Sequence, residues 1–374
     1  MHIALVVDQY YGKTGVGVHV RDLSKMLPSR DVSVTVLGSD VESKAVNSLQ
    51  KFVNIKNFRF VPQMFFIFFA LIRLHKEKKI DAIYCIDSVG FLGVWPFRKI
   101  YKVPVVFMVV ASIFSKGRGT DYSWFETNVF RFTNRYFARR ADKLICCSRE
   151  MVDCMLYAGA KRSRIKLLYY PIDASIFYPE NKEKVYARRR SSGLNCLFVG
   201  QLRPTKGAQH LLEAVPEIVS KLKNVTFTML GDGPLKDSLI ELSKKLGIEK
   251  YVFFEGYKKY EDLGRYFRSA DVLIIPSLNE PLALVILQAL TSGLPVIGTK
   301  VGGIPEVIKD GDNGYLVPPA DSGLLAEATI KLLSDADKLR EFSANALDTS
   351  KKVCSEDNVK VLISLFEELS KRHE

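Results

Sequence analysis

Residues 270–306, ADVLIIPSLNEPLALVILQALTSGLPVIGTKVGGIPE, fix the reading of the fold. Val272 to Ile275 form a short apolar run stopped by Pro276 and Ser277, the pattern of a parallel strand buried on both faces. After Glu280 and Pro281, apolar residues recur at Leu282, Val285, Ile286, Ala289 and Leu290, a helical period that Gly293 ends. The order is strand, loop, helix, turn, strand. In an open α/β sheet the loop at a strand's carboxyl end is where ligands bind, and free N–H groups of the next helix favour an anion there. With a helix start near Pro281, Glu280 and Gln288 lie about 12 Å apart along the axis and on one side. That spacing suits an elongated polar ligand.

These residues carry a family resemblance. Pro276-Ser277, Glu280-Pro281, the helix, Gly293-Leu294-Pro295-Val296-Ile297 and Gly302-Gly303-Ile304-Pro305-Glu306 resemble the donor-site signature of glycosyltransferase family 4. The resemblance implies an α/β GT-B fold, two Rossmann-like doubly wound parallel-sheet domains facing a central cleft, and retaining transfer from a nucleotide-sugar, of hexosyltransferase class. The family's second glutamate is Gln288 here, and its Phe-Gly after the first is Leu282-Ala283, with Leu284 next.

Outward from this stretch, Cys196 to Val199 read as a strand leading into Gly200-Gln201-Leu202-Arg203-Pro204-Thr205-Lys206-Gly207. In the family this loop holds an arginine and a lysine for the donor phosphates. Lys206 matches, Gln201 stands at the arginine position, and Arg203 is taken as the replacement cation. Val225 to Leu230 read as a strand ending at Gly231-Asp232-Gly233-Pro234, a turn that resembles the family's donor crevice. Val252 to Tyr257 correspond to its nucleobase region. Helices are expected near Leu324 to Leu333 and Val359 to Leu369; the resemblance implies that the last crosses back to the first domain.

The first half opens with a strand, Ile3 to Val7, a loop punctuated by Gly12 and Gly15, and a helix with Val16, Val20, Leu23 and Leu27 on one face. The family has Gly-Gly where this chain has Thr14-Gly15, and only Gly15 is carried over as a donor contact. Further strands are read at Ser33 to Leu37, Ala82 to Ile86 and Val105 to Val110. Family members place a histidine and glycine where this sequence has Val110-Ala111. Retaining enzymes of the group use the departing phosphate as base, so electrostatic support of the leaving group matters more than a histidine.

A chain of 374 residues accommodates two domains. The expected division is 1–175 for a basic acceptor-side domain, 176–193 for a linker, 194–350 for the donor domain and 351–374 for the returning helix. Asp173, Phe177 and Pro179 match an element the family carries at the crossing. Residues 1–180 hold 27 Lys and Arg against 15 Asp and Glu, a net +12, and the remainder 27 against 26, a net +1, so nearly all of the formal +13 belongs to the first half. Such a half faces an anionic partner, a membrane surface or phosphorylated acceptor, with nucleic acid disfavoured. Met64 to Ile72 is apolar but shorter than the roughly 20 residues needed to span a bilayer. It is either a helix packed on the sheet or a face dipping into a membrane surface beside Arg73, Lys76, Lys78 and Lys79. Arg131, Arg135, Arg139 and Arg140 share a helix, as a solvated face or as an anion contact. The six cysteines show no metal spacing and suggest a reducing compartment; without a signal-peptide pattern, the expected location is cytoplasmic, with possible peripheral membrane attachment.

The residues assigned to catalysis are Lys206, Arg203 and Glu280. Those assigned to the donor are Gly15, Gln201, Gly231, Gly233, Tyr257, Leu282, Ala283, Leu284 and Gln288. No metal or cofactor is expected; the partners are a nucleotide-sugar donor and a glycan or lipid-linked acceptor. The alternative is a catalytically impaired homologue that binds a sugar nucleotide or partner subunit. A sugar-nucleotide epimerase lacks its acid/base set here, and a dehydrogenase its glycine turn, since Val20 follows Gly15-Val16-Gly17.

Overall fold

The computed structural model describes residues 1–9, 15–39, 61–86, 88–109, 124–181, 193–354 and 357–372. Gly12, Thr14, Val110, Ala111 and most of the expected linker lie outside them. The chain divides into two compact units, the first running to Pro171 and taking in the C-terminal helix, the second beginning at Ile172 and ending before that helix.

In the first unit β1 (His2–Gln9), β2 (Ser33–Ser39), β3 (Ala82–Ile86), β4 (Val105–Val109), β5 (Lys143–Cys146) and β6 (Ile165–Leu167) alternate with five helices. These are α1 (Gly15–Met26), α2 (Val61–Glu77), α3 (Ser88–Tyr101), α4 (Trp124–Ala138) and α5 (Arg149–Tyr157). The strands form one parallel sheet in the order β2-β1-β3-β4-β5-β6. Right-handed crossovers put α2 to α5 on one face and α1 on the other, because the chain reverses direction after β2. β3 and β4 are buried along their whole length, which is why they read as unbroken apolar runs.

The second unit holds β7 (Leu194–Val199), α6 (Ala208–Lys221), β8 (Val225–Leu230), α7 (Lys236–Lys245), β9 (Val252–Gly256), α8 (Tyr260–Ser269) and β10 (Val272–Ile275). It continues with α9 (Leu284–Thr291), β11 (Val296–Thr299), α10 (Ile304–Val307), β12 (Gly314–Val317), α11 (Ser322–Leu333) and α12 (Ala336–Val353). Its sheet, also parallel, runs β12-β11-β10-β7-β8-β9. Leu211, Leu212, Val215 and Ile218 of α6 pack with Phe198, Phe227 and Leu332 in its core. Phe177 is fully buried against Tyr260 and Phe267, anchoring the start of this unit. The last helix, α13 (Asp357–Lys371), belongs to the first unit: Phe366 meets the Tyr84 ring edge-on, and Ser370 Oγ donates to the Asp81 carbonyl.

No described helix is long and apolar enough to cross a membrane. Beside α2, Arg73 pairs with Glu77 and Lys78 donates to Ser33 Oγ, so two of the four cations expected at its basic end are engaged locally.

Candidate active site

The second sheet reverses direction between β7 and β10, because the chain winds outward to β9 and then returns to the other side of β7. Ligands of open parallel sheets bind outside the carboxyl ends of the strands at such a point. Two loops leave there: residues 200–207 after β7 and 276–283 after β10.

Close backbone approach joins them. Gly207 has φ +67°, and a Cβ added to it would lie 1.9 Å from the Pro276 carbonyl oxygen, so only glycine fits. Beside it Leu278 N–H donates to the Thr205 carbonyl at 2.8 Å. Lys206, between Thr205 and Gly207, ends a short 3-10 turn opened by Pro204, and its Nζ donates to Glu280 Oε2. The carboxylate is buried and the ammonium partly exposed. Thus Lys206, expected at the donor phosphates, and Glu280, expected to act in catalysis, form one ion pair.

The loop after β11 supports Glu280 from behind. Gly303 N–H approaches the carbonyls of Glu280 (3.3 Å) and Pro281 (2.9 Å), and Thr299 Oγ1 donates to the Ser277 carbonyl at 2.6 Å. These contacts correct the expected helix start. A helix begun at Pro281 would turn the Glu280 and Pro281 carbonyls to its own N–H groups; Gly303 takes them instead, and Ala283 stays extended at φ −73°, ψ 117°. Glu280 therefore sits on a loop, and the 12 Å helical spacing to Gln288 does not apply. Leu282 and Ala283 are buried in this loop and Leu284 opens α9, where Ile286 N–H turns back to the Ala283 carbonyl and the N–H groups of Leu284 and Val285 precede any intrahelical acceptor. At the other end Leu294 N–H reaches the Ala289 carbonyl and Gly293 takes φ +68°, a glycine cap that ends the helix where the sequence places it.

Gln288, in the second turn of α9, is buried, and its Oε1 has no hydrogen-bond partner among the described residues. A buried carbonyl oxygen left so costs free energy that a ligand hydroxyl would recover. Gly231 and Gly233 serve the neighbouring loop: added Cβ atoms would meet the Gly200 oxygen at 1.9 Å and the Leu202 oxygen at 2.5 Å. Leu202 N–H donates to the Asp232 carbonyl and Gly231 N–H to that of Gly256, which stitches the ends of β7, β8 and β9. Tyr257 follows Gly256 at the edge strand and is exposed. Gln201 and Arg203 lie on the Lys206 loop, Arg203 accepting Lys206 N–H at its carbonyl. In the first unit Gly15 starts α1 exposed, with nothing among the described residues within 4 Å of an added Cβ. The sequence reading missed the backbone links through Thr205, Leu278 and Gly303; the Gly302-Gly303 pair was their visible signal.

Two family descriptions match in succession, glycosyltransferase family 4 over residues 13–176 and glycosyl transferases group 1 over residues 184–349. The chain is a member of glycosyltransferase family 4. This glycosyltransferase is 28% identical over 370 residues to an uncharacterised glycosyltransferase of Methanocaldococcus jannaschii, covering 92% of each chain. Its GT-B fold is that of the sucrose-phosphate synthase from Thermosynechococcus elongatus, with TM-score 0.84, 19% identity and 98% of both chains covered. Anabaena HepE in complex with UDP-glucose superposes with TM-score 0.76 at 21% identity, over 97% of this chain and 100% of that one.

Proposed function

We propose that this glycosyltransferase retains configuration and moves a hexosyl group from a nucleotide-sugar to a glycan or lipid-linked acceptor, in the cytoplasm and without a metal. The observation that carries the reading is the Lys206–Glu280 pair at the switch point. Cleaving a sugar–diphosphate bond develops negative charge on the leaving phosphate. Lys206 supplies a fixed cation for it, Arg203 a second on the same loop, and the first turn of α9 oriented N–H groups. Glu280 accepts from sugar hydroxyls, and Gln288 offers its unpartnered oxygen to the ribose. The departing phosphate takes the acceptor's proton, so no histidine base is needed. The UDP-glucose held by Anabaena HepE supports a nucleotide-sugar donor.

Gln288 also favours a second reading, because an amide accepts through one oxygen where a carboxylate accepts through two. On that reading the chain binds a sugar nucleotide without turning it over. The test is release of nucleoside diphosphate from UDP-, GDP- and ADP-sugars, with and without chelator, and the product anomer read by NMR. Chelator-resistant release with the donor's anomeric configuration kept is expected. Binding without release supports the second reading, and inversion removes the proposed mechanism.

A further inference from the structure

Among the described residues, every large hydrophobic side chain that the first unit exposes lies on α2 to α5: Phe65, Phe69, Ile100, Phe132, Leu156 and Tyr157. None lies on α1 or α13. These four helices pack side by side in sequence order on one face of the sheet. Phe65 and Phe69 are spaced four residues apart and project from α2, 53% and 62% exposed, while Ile67, Ala70 and Leu71 face the core. Phe132 on α4 is 70% exposed.

Cations interleave with these rings. Trp95 of α3 meets Tyr136 of α4 edge-on at 5.9 Å, and Phe132 stacks on Tyr136. Arg140 lies 3.8 Å over the Tyr136 ring, Lys99 5.4 Å over Trp95, and Arg135 reaches across to Tyr157 of α5 at 5.8 Å. Lys99, Arg131, Arg135, Arg139 and Arg140 are exposed. Among the described residues, the exposed acids of α2 to α5 are Glu77, which pairs with Arg73, and Asp153.

We propose that the outer surface of α2 to α5 docks on an anionic lipid bilayer, Phe65, Phe69 and Phe132 entering the head-group region and Arg131 and Arg135 meeting lipid phosphates. Aromatic rings among cations are the side chains that bind at the level of lipid head groups. A second copy docking on the same layer would set like charges face to face, and the core of a protein interface is depleted in charge, which this layer is not. A nucleic-acid backbone would use the arginines but not the phenylalanines of α2. The surface is independent of the reaction proposed above.

The full-length chain would be sedimented with phosphatidylcholine vesicles, with and without phosphatidylglycerol, beside Phe65→Ser/Phe69→Ser and Arg131→Gln/Arg135→Gln variants. Circular dichroism and the unfolding midpoint check folding. Binding that requires the anionic lipid, falls about fivefold for each cation removed, and weakens in the phenylalanine variant at unchanged fold is expected. Absence of binding to either vesicle, or equal binding by all variants, overturns the proposal. Loss in the arginine variant alone, with equal binding to heparin, overturns it in favour of a bare polyanion site. Self-association abolished by the same substitutions overturns it in favour of a second copy. Donor titration is unaffected by any of these outcomes, so failure here is separable from failure of the proposed function.

Discussion

Replacing Lys206 by methionine strands a carboxylate. The Glu280 side chain is 8% exposed and that of Lys206 30%, so the two halves of the pair have unequal escape routes. Without Lys206 the carboxylate stays in a poorly solvated loop; without Glu280 the ammonium turns to water. Breaking a fully buried pair costs about 3–5 kcal/mol. Discounted for the solvent that reaches Lys206, Lys206→Met should cost about 2 kcal/mol and Glu280→Gln less than about 1 kcal/mol. The double variant should be more stable than Lys206→Met alone, since it holds no orphaned charge. Urea unfolding of the donor-free protein and its three variants gives the coupling directly. A Lys206→Met protein within about 0.5 kcal/mol of the parent, or a double variant less stable than it, would refute the pairing and with it the view that the two loops are held ready before donor arrives.

Four further outcomes are expected. Gly207→Ala forces an L-residue into the left-handed region, about 1–2 kcal/mol, and drives its Cβ onto Pro276; a loss above about 3 kcal/mol in urea unfolding is expected. Gly15→Ala, in open space, should leave the unfolding midpoint unchanged while donor turnover drops about tenfold or more; unchanged turnover would remove Gly15 from the donor site. Gln288→Glu should tighten nucleoside diphosphate binding by about 1 kcal/mol or more in calorimetry, and unchanged or weaker binding would count against the ribose assignment. His19 is fully buried, and desolvation lowers its imidazole from 6.5 to about 3. The unfolded chain therefore binds a proton that the folded chain refuses, and stability should fall as pH drops through this window, by up to about 1.4 kcal/mol per pH unit. A His19→Gln protein with the same slope between pH 6.5 and 5 would contradict this.

Legibility followed how local the causes were. Val272 to Ile275 form β10 residue for residue, since a strand buried on both faces announces itself by composition alone. The start of α9 did not follow, because Leu282 continues the helical period while the carbonyls behind it are claimed by Gly303, which is distant in sequence. Gly231 and Gly233 read as ligand-facing glycines, yet their requirement comes from the loop after β7. In α2 the apolar run was visible but not its exposed side, because Phe65 and Ile67 are equally apolar and only packing on the sheet tells them apart. The whole of α12 was missed although Leu339, Phe342 and Ala346 carry a helical spacing, because charged residues dilute it.

The most direct measurement is calorimetric titration of the chain and its Lys206→Ala variant with UDP-, GDP- and ADP-sugars. Saturable binding of one nucleotide series, weakened about tenfold or more by the variant, is the result expected of a donor site built on the Lys206–Glu280 pair. Binding of no donor, or equal affinity in both proteins, would contradict it.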